Sequence, residues 1–196
     1  MATSARRKRR EGTGGPPDLS RPAAAAAGPA PRWVHGRAPL LVSLAVIAAV
    51  GLACYANSLS VPFAFDDAAQ IVVNSDIRRF EDWSDVVRMW RSNRFLTEVS
   101  LAANYRVGRL EVRGYHVVNI AIHVVTAWLV WWLLLLVQRT PVLRARTAGV
   151  VQLGPWRVPL PVALAATGAL VFVSHPIQTQ AVTYIIQRAA ALAALF

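Results

Sequence analysis

The residues best equipped for chemistry are an adjacent carboxylate pair, Asp66 and Asp67, following the aromatic turn Pro62-Phe63-Ala64-Phe65. The pair stands ten residues after Ala56, where the first long apolar run ends. Two acids that close to a membrane cost free energy unless they are partnered or used. From the residues alone, Asp67 ahead of Ala68-Ala69-Gln70 reads first as the cap of a short helix, with use in chemistry as the alternative. A second group, His116, Asn119, His123 and Thr126, recurs at steps of three, four and three and so shares one helix face. Such a stripe belongs toward a bundle interior rather than lipid, and it suits interhelical hydrogen bonds. The two histidines lie about 10 Å apart along a helix axis. A shared metal ion would therefore need ligands from other elements, and none is expected. A third polar face, Gln180, Thr183, Tyr184 and Gln187, has helical spacing and stands next to Arg188.

The elements that must position these groups are membrane helices. The chain is 55% hydrophobic and only 16% charged, with the charges in blocks between long apolar runs. That pattern predicts an all-α polytopic membrane protein. The net charge of +11 sits mostly in residues 1–37 and between Arg139 and Arg157. Membrane sidedness accounts for it without a nucleic-acid partner. Residues 1–37, with Arg6-Arg7-Lys8-Arg9-Arg10 and a run of alanines, are expected to be a disordered basic cytoplasmic tail. The membrane domain, 38–196, is expected to hold transmembrane helices at about 40–56, 117–137, 158–173 and 177–196. Between them lie an extracytoplasmic loop, 57–114, and a cytoplasmic loop, 138–157, which carries four arginines and no acid. The outer loop balances eight acids against eight arginines, and within it Trp83, Val86, Val87 and Trp90 fall at helical spacing behind Asp82 as a cap. Such a helix would lie on the membrane surface or pack on the neighbouring loop. Cys54, the single cysteine, forms no internal disulfide. Scarce lysine and abundant alanine and arginine point to a GC-rich bacterium, hence a multi-pass protein of its inner membrane with a cytoplasmic N-terminus.

Taken in order, several motifs carry a resemblance. Tyr55-Ala56-Asn57-Ser58-Leu59, Phe65-Asp66-Asp67, Arg94-Phe95-Leu96-Thr97, Gly114-Tyr115-His116-Val117-Val118-Asn119, His175-Pro176-Ile177-Gln178-Thr179 and Gln187-Arg188 together resemble the transmembrane and tetratricopeptide-repeat O-mannosyltransferases and their bacterial relatives. The resemblance covers residues 52–196. It implies part of a class C glycosyltransferase bundle that takes a sugar, mannose in this family, from a polyprenyl-phosphate donor in the membrane lipid and needs no cofactor. It implies that an acid of the first loop, Asp66, is the general base on a hydroxyl of a protein acceptor, with Asp67 as its neighbour. The hydroxyl must lose its proton to become a good nucleophile, so the base must reach it by hydrogen bond. Single displacement inverts the anomeric carbon. Arg94 and Arg188 are the implied contacts for the leaving phosphate, because guanidinium matches phosphate geometry. His116 and His175 are implied donor contacts or helix-end hydrogen bonds.

The sequence departs from the family where Gln180 replaces a frequent Glu and where Ala189-Ala190-Ala191 fills a commonly more polar stretch. Family members continue past the position of Phe196 through further membrane helices and a tetratricopeptide domain. This chain is therefore expected to be the N-terminal part of a longer enzyme or a truncated product, inactive alone. A non-catalytic membrane anchor or assembly module is the alternative reading, and a transporter a weaker one.

Overall fold

The computed structural model describes residues 32–33, 37–79, 83–90 and 92–196. The expected basic tail, apart from residues 32–33 and 37, and the expected cap at Asp82 lie outside them. A two-residue strand, β1 (Arg32–Trp33), leads to α1 (Ala38–Tyr55). Pro39 suits the first turn of α1, where its missing N–H costs nothing. A 3-10 turn, Ala56–Ser60, extends α1 to a continuous 23-residue apolar segment. The next stretch holds a π-helical turn, Ala68–Val72, and the short helices α2 (Ser75–Arg78) and α3 (Trp83–Met89). It closes with α4 (Phe95–Gly108). α5 (Val112–Val137) is the longest element, at 26 residues. α6 (Pro141–Arg146), a hairpin of β2 (Val150–Leu153) and β3 (Trp156–Pro159), and α7 (Leu160–Ser174) follow.

The hairpin adds a feature that the all-α expectation lacks. β3 pairs antiparallel with β2 and parallel with β1, and Gly154, at φ +59°, makes the turn that an L side chain would resist.

The last stretch departs from the expected single helix over 177–196. It consists of a 3-10 turn, Pro176–Gln178, α8 (Thr179–Thr183), a 3-10 turn, Ile185–Gln187, and α9 (Arg188–Leu195). His175, in extended backbone before Pro176, separates α7 from it with a bend of 48°. Two segments, Ala38–Ser60 and Val112–Val137, are long and apolar enough to cross a membrane. A third crossing results if α7 and the bent continuation to Thr183 count as one. The chain is thus a largely helical membrane protein.

Three buried clusters divide the packing of the described residues, the smallest being Tyr55, Ile120, Val124 and Val182. Ile47 of α1, Ala127 and Trp131 of α5, and Ala165, Ala169 and Val173 of α7 fill the three-helix core. A Cβ on Gly51 would meet Val124 Cγ2 at 2.9 Å and Val173 Cγ2 at 3.0 Å, so the small residue is what lets α1 approach both neighbours. The second cluster, Ile71, Ile77, Met89, Leu101, Tyr115 and Ile185 among them, packs the loop elements onto the first turn of α5 and the broken stretch. α3 turns Met89 inward and stacks Trp90 edge-on to Phe95 at 4.9 Å, while Val87 and Trp90 stay largely exposed. Loop packing, one of the two readings of that helix, describes its inner side.

Candidate active site

The carboxylate pair sits where the turn before the Ala68 helix meets a break in the last stretch. Phe65 has φ +50° and is 88% exposed. A bulky residue in that conformation carries strain of about 1–3 kcal/mol and must be held there. Its holder is Tyr184: the two rings meet edge-on at 6.0 Å, and the Tyr184 hydroxyl accepts a hydrogen bond from Asp66 N at 3.0 Å.

Beyond that turn the two acids part. Asp67 is 1% exposed. Its Oδ2 accepts from Ala64 N at 3.1 Å and its Oδ1 from Ile186 N at 2.9 Å. The cap foreseen for the Ala68 helix is not made; the carboxylate reaches across the fold instead. Burial pushes the Asp67 carboxyl above its ordinary value, opposed by the Ala64 and Ile186 N–H groups and by the charge of nearby His116. Asp66 is exposed, and among the described residues no partner reaches its carboxylate.

The break at Tyr184 is held by side chains from other segments. Tyr184 is extended, at φ −89° and ψ 112°, so the i to i−4 ladder is interrupted. Asn119 of α5 supplies replacements, its Nδ2 donating to Val182 O and Ile185 O, both at 3.3 Å. Asp67 takes the orphaned Ile186 N–H. Side chains that re-satisfy freed backbone groups are what make a broken helix tolerable at membrane depth.

Arg188, wholly buried, ties this arrangement together. Its Nε donates to Asn119 Oδ1 at 2.7 Å, Nη1 to Asn104 Oδ1 at 2.8 Å and Ser100 Oγ at 3.3 Å, and Nη2 to Tyr115 O at 3.0 Å. These acceptors are neutral, and they join α4, α5 and α9 through one guanidinium. The rest of the α5 stripe bonds to backbone. His116 Nε2 donates to Val61 O at 2.9 Å and His123 Nε2 to Val173 O at 3.1 Å. Thr126 Oγ1 returns to Ile122 O of its own helix.

The comparisons bear on this geometry. No family profile and no solved structure matches the chain. Among curated proteins, it is 30% identical over 161 residues to protein O-mannosyl-transferase Tmtc1 of Drosophila melanogaster, covering 76% of this chain and 16% of that protein. It is 28% identical over 168 residues to protein O-mannosyl-transferase TMTC2 of Mus musculus, covering 80% and 18%, and 29% over 163 residues to mouse TMTC3, covering 77% and 15%. The chain belongs to the transmembrane and tetratricopeptide-repeat O-mannosyltransferase family. It spans less than a fifth of the length of these three relatives.

The motif residues of the family are not all brought to one place. Asp66, Asp67 and His116 share the turn region: Val61, which begins the approach to Asp66, is the acceptor for His116, and the His116 charge acts on Asp67. His116 Nδ1 is buried without a partner among the described residues. Arg188 joins the same region from below through Asn119, with its guanidinium enclosed. Arg94 is exposed at the start of α4, where its backbone N donates to Ser92 Oγ at 3.1 Å. His175 is exposed and its Nδ1 accepts from Ile177 N at 3.2 Å, so it caps the 3-10 turn. No hydrogen bond or ion pair among the described residues joins Arg94 or His175 to the carboxylate pair. Ser100 and Asn104, partners of Arg188, escaped sequence reasoning; their four-residue spacing on α4 is the signal that places them on one face.

Proposed function

We propose that this chain forms the acceptor-activating part of a membrane glycosyltransferase that moves a sugar, mannose by family, from a polyprenyl-phosphate donor to a hydroxyl of a protein acceptor. In the reaction, the Asp66 carboxylate takes the acceptor hydroxyl proton and the oxygen attacks the anomeric carbon. The bond from that carbon to the phosphate oxygen breaks, the electron pair leaves with the polyprenyl phosphate, and configuration inverts.

The observation that carries this reading is the contrast within the pair. Asp66 offers an exposed carboxylate, without a partner among the described residues, on a strained turn held by Tyr184, while both oxygens of Asp67 accept from backbone N–H groups. A base must be accessible to its substrate and fixed in place, and the second acid does the fixing. Asp67 is accordingly a positioning residue. Arg94, exposed at the start of α4, is the cation proposed for the leaving phosphate. Arg188, enclosed and with four of its five N–H donors on protein acceptors, positions Asn119 and through it the break at Tyr184. His116 Nδ1 and the Nε2 of His175 remain proposed donor contacts. The 57–114 loop faces the extracytoplasmic side in this reading, and the N-terminus and the 138–157 loop face the cytoplasm.

The test is transfer from polyprenyl-phosphate mannose in membranes that express the whole open reading frame containing these residues. Asp66→Asn should lower turnover by at least about 100-fold, the usual contribution of a general base, with little change in thermal stability. Turnover that survives the substitution removes Asp66 from the role.

A further inference from the structure

We propose that the cavity at the C-terminal end of α5 binds an anionic glycerophospholipid whose headgroup carries a hydroxyl. The cavity measures about 800 Å³ and lies where the start of α1, the end of α5 and the start of α7 converge. α5 spans about 39 Å if straight, so the site is a membrane thickness away from the turn that holds Asp66. It is independent of the glycosyl-transfer reading.

Two kinds of wall face the space. Trp132 and Leu135 form an apolar side, fit for an acyl chain, and Arg139 and Arg144 stand exposed at the rim. No Asp or Glu occurs from Val112 to Phe196 or from Leu19 to Phe65, so the elements that line the cavity contain no carboxylate to pair with these arginines. Guanidinium pairs suit a phosphate diester, and basic pockets between membrane helices are a recurrent form of lipid headgroup site.

Two residues of the wall also hold enclosed polar atoms without partners among the described residues, which a headgroup would reach by a small shift of the lining side chains. Trp131 is 6% exposed and its Nε1 donor is unused. Gln138 donates through Nε2 to Leu134 O at 3.1 Å and to Pro161 O at 3.0 Å, which fixes the amide and leaves Oε1 as an unused acceptor. Buried polar groups are almost always paired, and a ligand with both functions would pair these two. A phosphate or ester oxygen would accept from Trp131 Nε1, and a headgroup hydroxyl would donate to Gln138 Oε1. A phosphate diester linked to a glycerol-type headgroup has both.

The experiment is native mass spectrometry of the purified chain in mild detergent, titrated with phosphatidylglycerol, phosphatidylcholine or inorganic phosphate. Phosphatidylglycerol should be retained at least about tenfold better than phosphatidylcholine, and Arg139→Gln with Arg144→Gln should abolish that preference. Trp131→Phe, which keeps the ring and removes the N–H, should weaken retention several-fold. Arg146→Gln, at a basic position outside the cavity lining, should leave it unchanged. Equal retention by the double-arginine variant, an equal loss in Arg146→Gln, or displacement of the lipid by matched inorganic phosphate would each overturn the proposal, the last by showing a site for a soluble anion. A melting curve like that of the parent chain confirms that each variant tested is folded.

Discussion

The two ends of α5 solve different problems with the same helix. At its N-terminal end, from Tyr115 to His123, the polar side chains each bond to the backbone of another segment or to Arg188, with His116 Nδ1 the one buried side-chain atom left over among the described residues. At its C-terminal end, Trp131 and Gln138 retain polar atoms that no described residue uses. The difference follows from what each end faces. The first end meets a broken helix, whose freed N–H and C=O groups must be re-paired by a neighbour. The second meets the first turns of α1 and α7, which are continuous, so its polar atoms are spare. The same contrast appears in miniature at Asp66 and Asp67, where one carboxylate completes the broken backbone and the other is left open.

The largest test of this comparison is Arg188→Met. It strands the neutral acceptors Asn119 Oδ1, Asn104 Oδ1, Ser100 Oγ and Tyr115 O, and a loss of about 1–3 kcal/mol for each one left buried and unsatisfied is expected. Hydrogen exchange should speed up at Ile185, Ile186 and along α4 while the α1–α7 contact near Gly51 stays protected. Uniform loss of protection would show instead that the two ends are one cooperative unit.

Asp67→Asn ranks next. The amide can accept one of the two backbone hydrogen bonds, so a cost of about 1–3 kcal/mol is expected. The parent chain should also show a pH dependence that the variant lacks. Because burial raises the Asp67 pKa above its usual 3.8, the folded state binds this proton more readily than the unfolded chain. Its contribution is therefore fully present below the unfolded pKa and is lost as pH rises through the folded value. The melting-temperature gap between parent and Asp67→Asn should widen on acidification from neutral pH toward 4; a gap that narrows would reverse the assigned sign.

The smallest expected effect is that of Phe65→Gly. Relief of the positive φ offsets the loss of the ring contact with Tyr184 and the greater freedom of glycine when unfolded, so stability should change by less than about 1 kcal/mol. Turnover should fall by more than stability does, because the open carboxylate is no longer aimed. A parallel drop in both would make the turn merely structural.

Much of this was legible in the residues. The apolar runs marked Ala38–Ser60 and Val112–Val137 to within a few residues, because length and hydropathy alone decide whether a segment can cross a membrane. The stripe from His116 to Thr126 was visible as a period, and its use in hydrogen bonds between segments followed from the cost of polar groups in an apolar setting. The hairpin at Val150–Pro159 had its signals too, an alternating run on either side of Gly154-Pro155, but the surrounding arginines drew the reading toward a plain loop. Residues 177–196 read as one helix because nothing within them forbids it. The break at Tyr184 is imposed by Asn119 and Asp67, which lie 65 and 117 residues earlier in the chain.

The sequence by itself therefore determined the membrane class, two of the four expected crossing segments, the polar face of α5 and the prominence of Asp66 and Asp67, all of which depend on residue type and local spacing. Only the tertiary structure decided which acid is open and which is bound, that Arg188 is a buried strut rather than an exposed cation, and that two polar atoms at the far end of α5 have no partner among the described residues. Those outcomes depend on which backbone groups a distant segment leaves unpaired, and a linear pattern carries no record of that.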